Sequence, residues 1–403
     1  MREVFSVPAV RLVFLAQLIS VAGDRMFAIA LAWWVVSKDD LANREFMLGL
    51  LLAASTLPIA LSGPLLGPLI DKFNRRSCMV VADLGRLFVM AGLGALAHQE
   101  ALTVPLLFAL CIPLFALEPL FDSAVSASLY SISKSPSMLS QLVALESAVP
   151  NVGAVVGALF GSLALAVWNV EEAFWFNAGT FFLSLIFVSG LPVLKASSSD
   201  HDLENASSSY SFLKNFPVAM RLLVLFGIIN FFMAPTFLYL PLLARDVLNG
   251  DGTHLGLLEL AFAAGNLALF GYFLARPKEF VRTRWLRFFH VASSAGFLWM
   301  LGIAVSLWTM VATLVAWGAS FAFVTYLVLS SFQRTIPDAF KGRFFAILAS
   351  LCTLGMPLSF VCIGFLSSRL ALKELIFFNA GCILFVSLAF LTVPDEQPRK
   401  PLA

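Results

Sequence analysis

Four acids of the first half stand out inside apolar sequence, where a charge is expensive. Asp24 lies about 16 residues into an apolar stretch that begins near residue 8. At that depth of a bilayer an ionised carboxylate costs several kcal/mol, so it should be paired or face a cavity. Such an acid can bind and release a proton, or hold the cationic group of a cargo. The competing reading of Asp24 is a static ion pair. Arg25 follows it directly, but adjacent helical residues do not face each other. Glu118 and Asp122 are four apart, hence on one face of a helix. Glu118 is the deeper of the two and the better cavity candidate. Asp122, nearer one end, is expected to pair with Arg75 or Arg76. Glu146 is a fourth candidate, and Arg86 is expected to snorkel its head to the inner face.

The second half of the chain offers neutral groups instead: Asn230, Tyr239, Gln333 and the aromatics Trp299, Trp317 and Tyr326, with Glu259 its one deep acid. Asn230 is 206 residues from Asp24, and Pro235 and Pro241 follow it. Prolines leave backbone carbonyls without partners and can break a spanning helix near a binding site. An ordinary proline kink with a hydrogen-bonded asparagine is the alternative. Trp317 and Tyr326 suit an apolar or aromatic cargo if they face a cavity.

Other chemistries find no support in the residues. No nucleophile and base stand at a familiar spacing, so an enzyme is not expected. There is no GxxxxGK[ST] loop, no HExxH and no clustered His/Cys set, so neither a nucleotide-driven pump nor a zinc site is expected. The five cysteines, Cys78, Cys111, Cys352, Cys362 and Cys382, lie in apolar sequence and read as packed thiols. No cofactor is called for. A net charge of +2 gives nothing for nucleic acid to bind.

These residues need elements to hold them, and composition says which. Of 403 residues, 60% are hydrophobic and only 12% charged, and the mean hydropathy is +0.91. So little charge cannot cover a water-soluble particle of this size, and lipid must be the main solvent. Twelve stretches are long enough to cross a bilayer as helices: 8–37, 46–70, 77–97, 102–129, 139–167, 171–194, 215–248, 254–275, 284–305, 307–333, 342–369 and 371–393. The first is too long for a signal-peptide core and reads as a retained span. The one long polar connection, Lys195 to Ser211, has the composition of a flexible linker. It separates an N-terminal six-helix bundle (1–194) from a C-terminal one (214–403), with 195–213 between them.

The basic residues orient the chain. Of the 26 Lys and Arg, Arg11, Arg25, Arg86 and Arg221 are assigned to spans and the rest to loops, tails or span ends. Only Lys38, Arg44, Arg245, Arg369 and Lys373 fall in outer loops if the N-terminus is inside, and the other 17 fall inside. Both termini and the linker are therefore expected in the cytoplasm. Trp33, Trp34, Trp168 and Trp308 then form an outer aromatic belt.

The halves repeat. Glu172, Asn177 and Gly179 in the sixth span recur as Glu374, Asn379 and Gly381 in the twelfth, 202 residues on. Pro150 and Gly157 recur as Pro357 and Gly364, and Gly67 as Gly271. Two six-helix bundles related by an axis along the membrane normal are a transporter architecture. Gly153, Gly157 and Gly161 provide a smooth face for close packing.

The turn after the second span reads Gly67-Pro-Leu-Ile-Asp71-Lys72-Phe-Asn-Arg75-Arg76. It resembles the G-x-L-x-D-R/K-x-x-R-R/K loop of the major facilitator superfamily. The second-half copy is degraded, with Ala275 and Arg276 where the acid and base would stand. Gln333 to Arg343, with Pro337, Gly342 and Arg343, looks like the Q-x-x-x-P-x-x-x-x-G-R segment of the macrolide-efflux and enterobactin-exporter branch. Gly23-Asp24 resembles the G-D/N pair of that branch and of the lysophospholipid transporter, which also carries an acid matching Glu146. Bacterial ferroportin relatives have a similar first-helix acid. The arginine-glutamine-glycine motif of drug antiporters is absent from the fourth span, which reads Ala116-Leu-Glu118-Pro119-Leu-Phe-Asp122-Ser123.

The resemblance implies an all-α membrane protein with the major-facilitator fold, twelve transmembrane helices in two pseudo-symmetric six-helix bundles. It implies a secondary transporter, monomeric and resident in the inner membrane, that exports a small amphipathic compound such as a siderophore or drug with protons as coupling ion. Gly67, Asp71, Arg75, Arg76, Asp122, Gly342 and Arg343 would gate it. Asp24, Glu118, Glu146, Asn230, Trp317 and Tyr326 would bind cargo or protons. A lysophospholipid flippase, a divalent-metal exporter and a membrane sensor that kept the fold are the alternatives.

Overall fold

The computed structural model describes residues 5–38, 41, 43–133, 135–192, 215–275 and 283–395. The 195–213 linker and Arg276 lie outside them, as do the side chains of Gly67, Asp71, Gly342 and Arg343. Thirteen α-helices account for nearly all described residues: α1 (Pro8–Ser37), α2 (Arg44–Lys72), α3 (Arg75–His98), α4 (Val104–Ile132), α5 (Pro136–Val167), α6 (Val170–Ser189), α7 (Pro217–Met233), α8 (Thr236–Leu242), α9 (Gly252–Ala275), α10 (Arg284–Ile303), α11 (Leu307–Thr335), α12 (Asp338–Ser367) and α13 (Leu372–Ala389). No strand occurs among the described residues. Among the described residues eleven segments, with α7, α8 and the turn after them counted as one, are long and apolar enough to cross a hydrocarbon core of about 30 Å at 1.5 Å per residue.

Local chemistry sets the helix starts. Proline opens α1, α5 and α7, where its missing N–H costs nothing. The side chains of Asn74, Ser135 and Thr283 accept from backbone N–H groups of the first turns of α3, α5 and α10. The repeated glutamates do one job twice. Glu172 accepts from the N–H of Asn169 at 3.0 Å, and Glu374 from that of Ala371 at 2.9 Å. The repeated asparagines, Asn177 and Asn379, are fully buried.

The seventh span breaks at its prolines. α7 ends at Met233, α8 starts after Pro235, and a π-helical turn (Leu243–Val247) follows. Asn230 Nδ2 donates to Phe226 O at 2.8 Å, within its own helix.

Two compact units emerge. The first comprises residues 1–200 with 244–260, and the second 201–243 with 261–403. In the first, α1 packs on α5 and α6, α3 on α4 and α6, and α2 on α4. In the second, α7 packs on α12 and α13, and α10 on α11 and α13. The internal sequence repeat is thus also a repeat of packing. The small-residue face of α5 meets α1 closely: a Cβ on Gly157 would stand 2.5 Å from both Ala22 O and the Arg25 Cβ. Segment 244–260 is held to the first unit by an Arg44 Nη2–Asp246 Oδ1 ion pair at 3.1 Å and by Gly252 against Leu165. This pair is partly exposed, so Asp246→Asn should lower thermal stability by no more than about 1 kcal/mol. A larger loss on unfolding would show that the pair is desolvated.

Candidate functional site: an arginine among four acids

Arg86 is the hub of the first unit. It does not snorkel: its side chain is 2% exposed, inside the packing of α3 against α4 and α6. Its Nη2 donates to Asp83 Oδ1 at 2.6 Å and its Nη1 reaches Asp24 Oδ2 at 3.4 Å. Asp83, fully buried, also accepts from Ser184 Oγ at 2.7 Å. The guanidinium lies over two rings, 4.7 Å from the centroid of Phe121 and 4.4 Å from that of Phe181. A cation desolvated this thoroughly gains from ring faces on top of its carboxylate. Sequence reasoning passed over Asp83. Its spacing of three from Arg86 in an apolar span was the available signal, because residues three apart on a helix meet.

Gly23 is what lets α1 come close. A Cβ there would run into Thr180 Oγ1 and Asn177 Oδ1 on α6. Gly23→Ala should therefore push α1 from α6 and cost about 1–3 kcal/mol, read as a fall in thermal stability. An unchanged melting point would mean that α6 repacks freely.

Glu118 and Asp122 complete the group: with Asp24 and Asp83 they supply the negative field at Arg86. Asp24, Glu118 and Asp122 are each partly accessible, whereas Asp83 and Arg86 are buried behind them. Four carboxylates thus face one buried guanidinium, and Asp83 alone already balances its charge. Arg25, exposed on the next step of α1, acts on Glu118 and on Glu259 of α9 instead. Three partly accessible acids therefore carry charge beyond what Arg86 offsets. Arg25 offsets part of that charge at Glu118, and the accessible sides of the three acids leave room for water, a proton or a cationic group. Among the described residues no group of three His, Cys, Asp or Glu is arranged to hold a metal ion.

The other sequence candidates are placed elsewhere. Asp122 joins the Arg86 group and does not pair with Arg75 or Arg76. Arg75 donates to Ala127 O at 2.7 Å and to Ser131 Oγ, while Arg76 donates to Ser189 O at 2.6 Å. The Ser189 carbonyl lies at the end of α6, where cations are favoured, and Ala127 lies within α4. Glu146 accepts from Ser126 Oγ. In the second unit Trp317 is fully buried, edge-on to Phe262 at 5.8 Å, so it lies in packed interior. Tyr326 stacks on Phe273 at 4.5 Å. Tyr239 is buried beside Asn379. Trp299 is exposed on the outside of α10, and Gln333 is exposed too.

A bundle of apolar helices in two repeats, with a buried arginine in each, Arg86 and Arg287, defines a polytopic membrane protein built for moving solutes. Residues 13–360 match the family described as Major Facilitator Superfamily, and the chain belongs to it. The MFS-type transporter YfiS of Bacillus subtilis (strain 168) is 24% identical over 92% of this chain and 89% of its own. Macrolide efflux protein A of Streptococcus pyogenes is 20% identical, covering 96% of each chain. Among solved structures, that of the nucleoside transporter NupG superposes with a TM-score of 0.73 at 10% identity, over 95% of this chain and 98% of the other. The protein is accordingly a multi-pass membrane transporter of this superfamily and not an enzyme.

Proposed function

We propose that this transporter exports a small amphipathic organic compound, siderophore-like or drug-like, by alternating access, using the proton gradient. The observation that carries this reading is the surplus of partly accessible acids around Arg86. Asp24, next to the close α1–α6 contact, is the acid that exchanges a proton for cargo, with Glu118 and Asp122 as its neighbours in that exchange. The efflux relative supports the outward direction. We place the protein in the inner membrane as a monomer with both termini in the cytoplasm, and its two transport bundles at 1–194 and 214–403. Asp71 with Arg75 or Arg76, and Gly342 with Arg343, would close the inner side.

Everted membrane vesicles carrying an imposed pH gradient test this, with erythromycin, enterobactin and ethidium as probes. At least one probe should accumulate, and an uncoupler should abolish its accumulation. Accumulation of none, or accumulation indifferent to the uncoupler, would overturn the proposal. The orientation has its own check: cysteines placed at Ser199 and Pro398 should both label from the cytoplasmic side only, and labelling from opposite sides would refute it.

A further inference from the structure

A second site lies wholly in the second unit. A cavity of about 370 Å³ opens between α9, α10 and α11, walled by Phe289, Phe297 and Phe323. Its size falls at the low end of small-molecule pockets, roughly 300–1,000 Å³. Phe289 is 61% exposed, so in a bilayer the opening faces lipid. The polar part of the wall is one connected group: His290 and Ser293 of α10 with Ser320 of α11. None of the acids around Arg86 belongs to it.

The protons of this group can be assigned by elimination. Ser293 Oγ donates to His290 O at 2.8 Å, which uses its only proton. The 2.7 Å contact between Ser293 Oγ and Ser320 Oγ is then a donation from Ser320, whose other acceptor, His290 O, is much farther at 3.5 Å. With that proton used, the 3.3 Å contact between Ser320 Oγ and His290 Nδ1 requires Nδ1 to carry the hydrogen. In its neutral form the ring then leaves Nε2 as a bare acceptor. The ring stacks on Phe323, with centroids 4.2 Å apart, which fixes its plane.

We propose that this cavity is a lateral binding site for an uncharged amphipath whose head donates a hydrogen bond, entering from the bilayer with its apolar body between the phenylalanines and its hydroxyl on His290 Nε2. The walls carry no formal charge to recognise an ionic head. The one polar atom left without a partner asks for a donor, so an alcohol, phenol or amide fits, and an acceptor-only ester or ether does not. The site could deliver a membrane-dissolved compound to the transporter or tune it from the lipid side. Either way its ligand class is set by the cavity.

Two probes separate this from nonspecific lipid filling: 1-dodecanol, and its methyl ether, which has the same chain but no donor. Binding to the full-length protein in nanodiscs is read by competition with a photoreactive diazirine analogue of dodecanol, followed by peptide mapping. Label should concentrate on α10 and α11, and dodecanol should compete about two- to tenfold better than the ether, as one neutral hydrogen bond allows. His290→Phe keeps an aromatic wall and should equalise the two competitors. Ala316→Leu, on the cavity's exposed wall, should lower labelling on α10 and α11 without touching the hydrogen-bonded group. Label spread evenly over the lipid-facing helices would overturn the proposal. So would equal competition by alcohol and ether in the unsubstituted protein, or an alcohol preference that survives His290→Phe.

Discussion

Arg86→Met should lose about 3–5 kcal/mol of stability, because it strands Asp83 without a counterion in a fully buried position. Methionine nearly keeps the volume, so the effect isolates charge from packing. Ser184 would still donate to Asp83, but one hydroxyl does not replace a guanidinium. Asp24 would lose its partner as well, at smaller cost, since it is 24% exposed and its contact is the longer one. Adding Asp83→Asn to Arg86→Met should return part of the loss, because a neutral amide no longer needs the cation. Arg86→Lys keeps a charge but not the fork that reaches both acids, and should fall between. Thermal unfolding in nanodiscs measures all four proteins. If Arg86→Met melts with the unsubstituted chain, the ion group is not what holds α3 to α6.

The second large effect is expected where backbones touch. Gly318 of α11 and Gly265 of α9 pack reciprocally. A Cβ on Gly318 would enter Phe262 O, and one on Gly265 would enter Val315 O. Backbone atoms cannot rotate away as a side-chain tip can. Gly318→Ala or Gly265→Ala should cost about 1–3 kcal/mol from the forced separation of the helices. Gly271, on the same α9, has open space around it. There Gly271→Ala should instead stabilise by roughly 0.5–1 kcal/mol, the ordinary helical gain from replacing glycine. Opposite signs at glycines of one helix are the signature to look for in the melting temperatures. A uniform gain would mean that α9 and α11 are not in backbone contact.

Eleven of the twelve expected spans return among the described residues as helices long and apolar enough to cross a membrane, and they were legible because apolar length is a direct demand of the bilayer. The break after Met233 was legible through Pro235, which has no N–H to give. The repeat was legible at Glu172 and Glu374 because both answer the same need at a helix start. The Arg86 group was only half legible. Asp24 stood out as an acid in apolar sequence. A lone arginine in a span reads equally as a snorkelling side chain, and nothing in one helix's sequence tells whether its head turns toward lipid or toward α1. Only the assembled bundle shows that Asp24, on the neighbouring helix, lies within reach. Asp122 was misdirected for the same reason. Arg75 and Arg76 carry the right charge for it, yet backbone carbonyls of α4 and at the end of α6 satisfy them first. The close approach of Gly265 to Val315 and of Gly318 to Phe262 was hidden because two glycines on different helices have no spacing to read, unlike Gly153, Gly157 and Gly161 on one.

The central claim is that the acids left over beside Arg86 couple cargo to protons through Asp24. Asp24→Asn tests it at nearly constant volume, with the amide standing for the protonated acid. The measurement is pH-gradient-driven accumulation in everted vesicles of whichever probe the unsubstituted protein accumulates, alongside exchange of that probe across vesicles with no gradient. Asp24→Asn should abolish uphill accumulation while exchange and the melting temperature persist. Uphill accumulation by a normally folded Asp24→Asn protein, with its dependence on the pH gradient unchanged, would contradict the account.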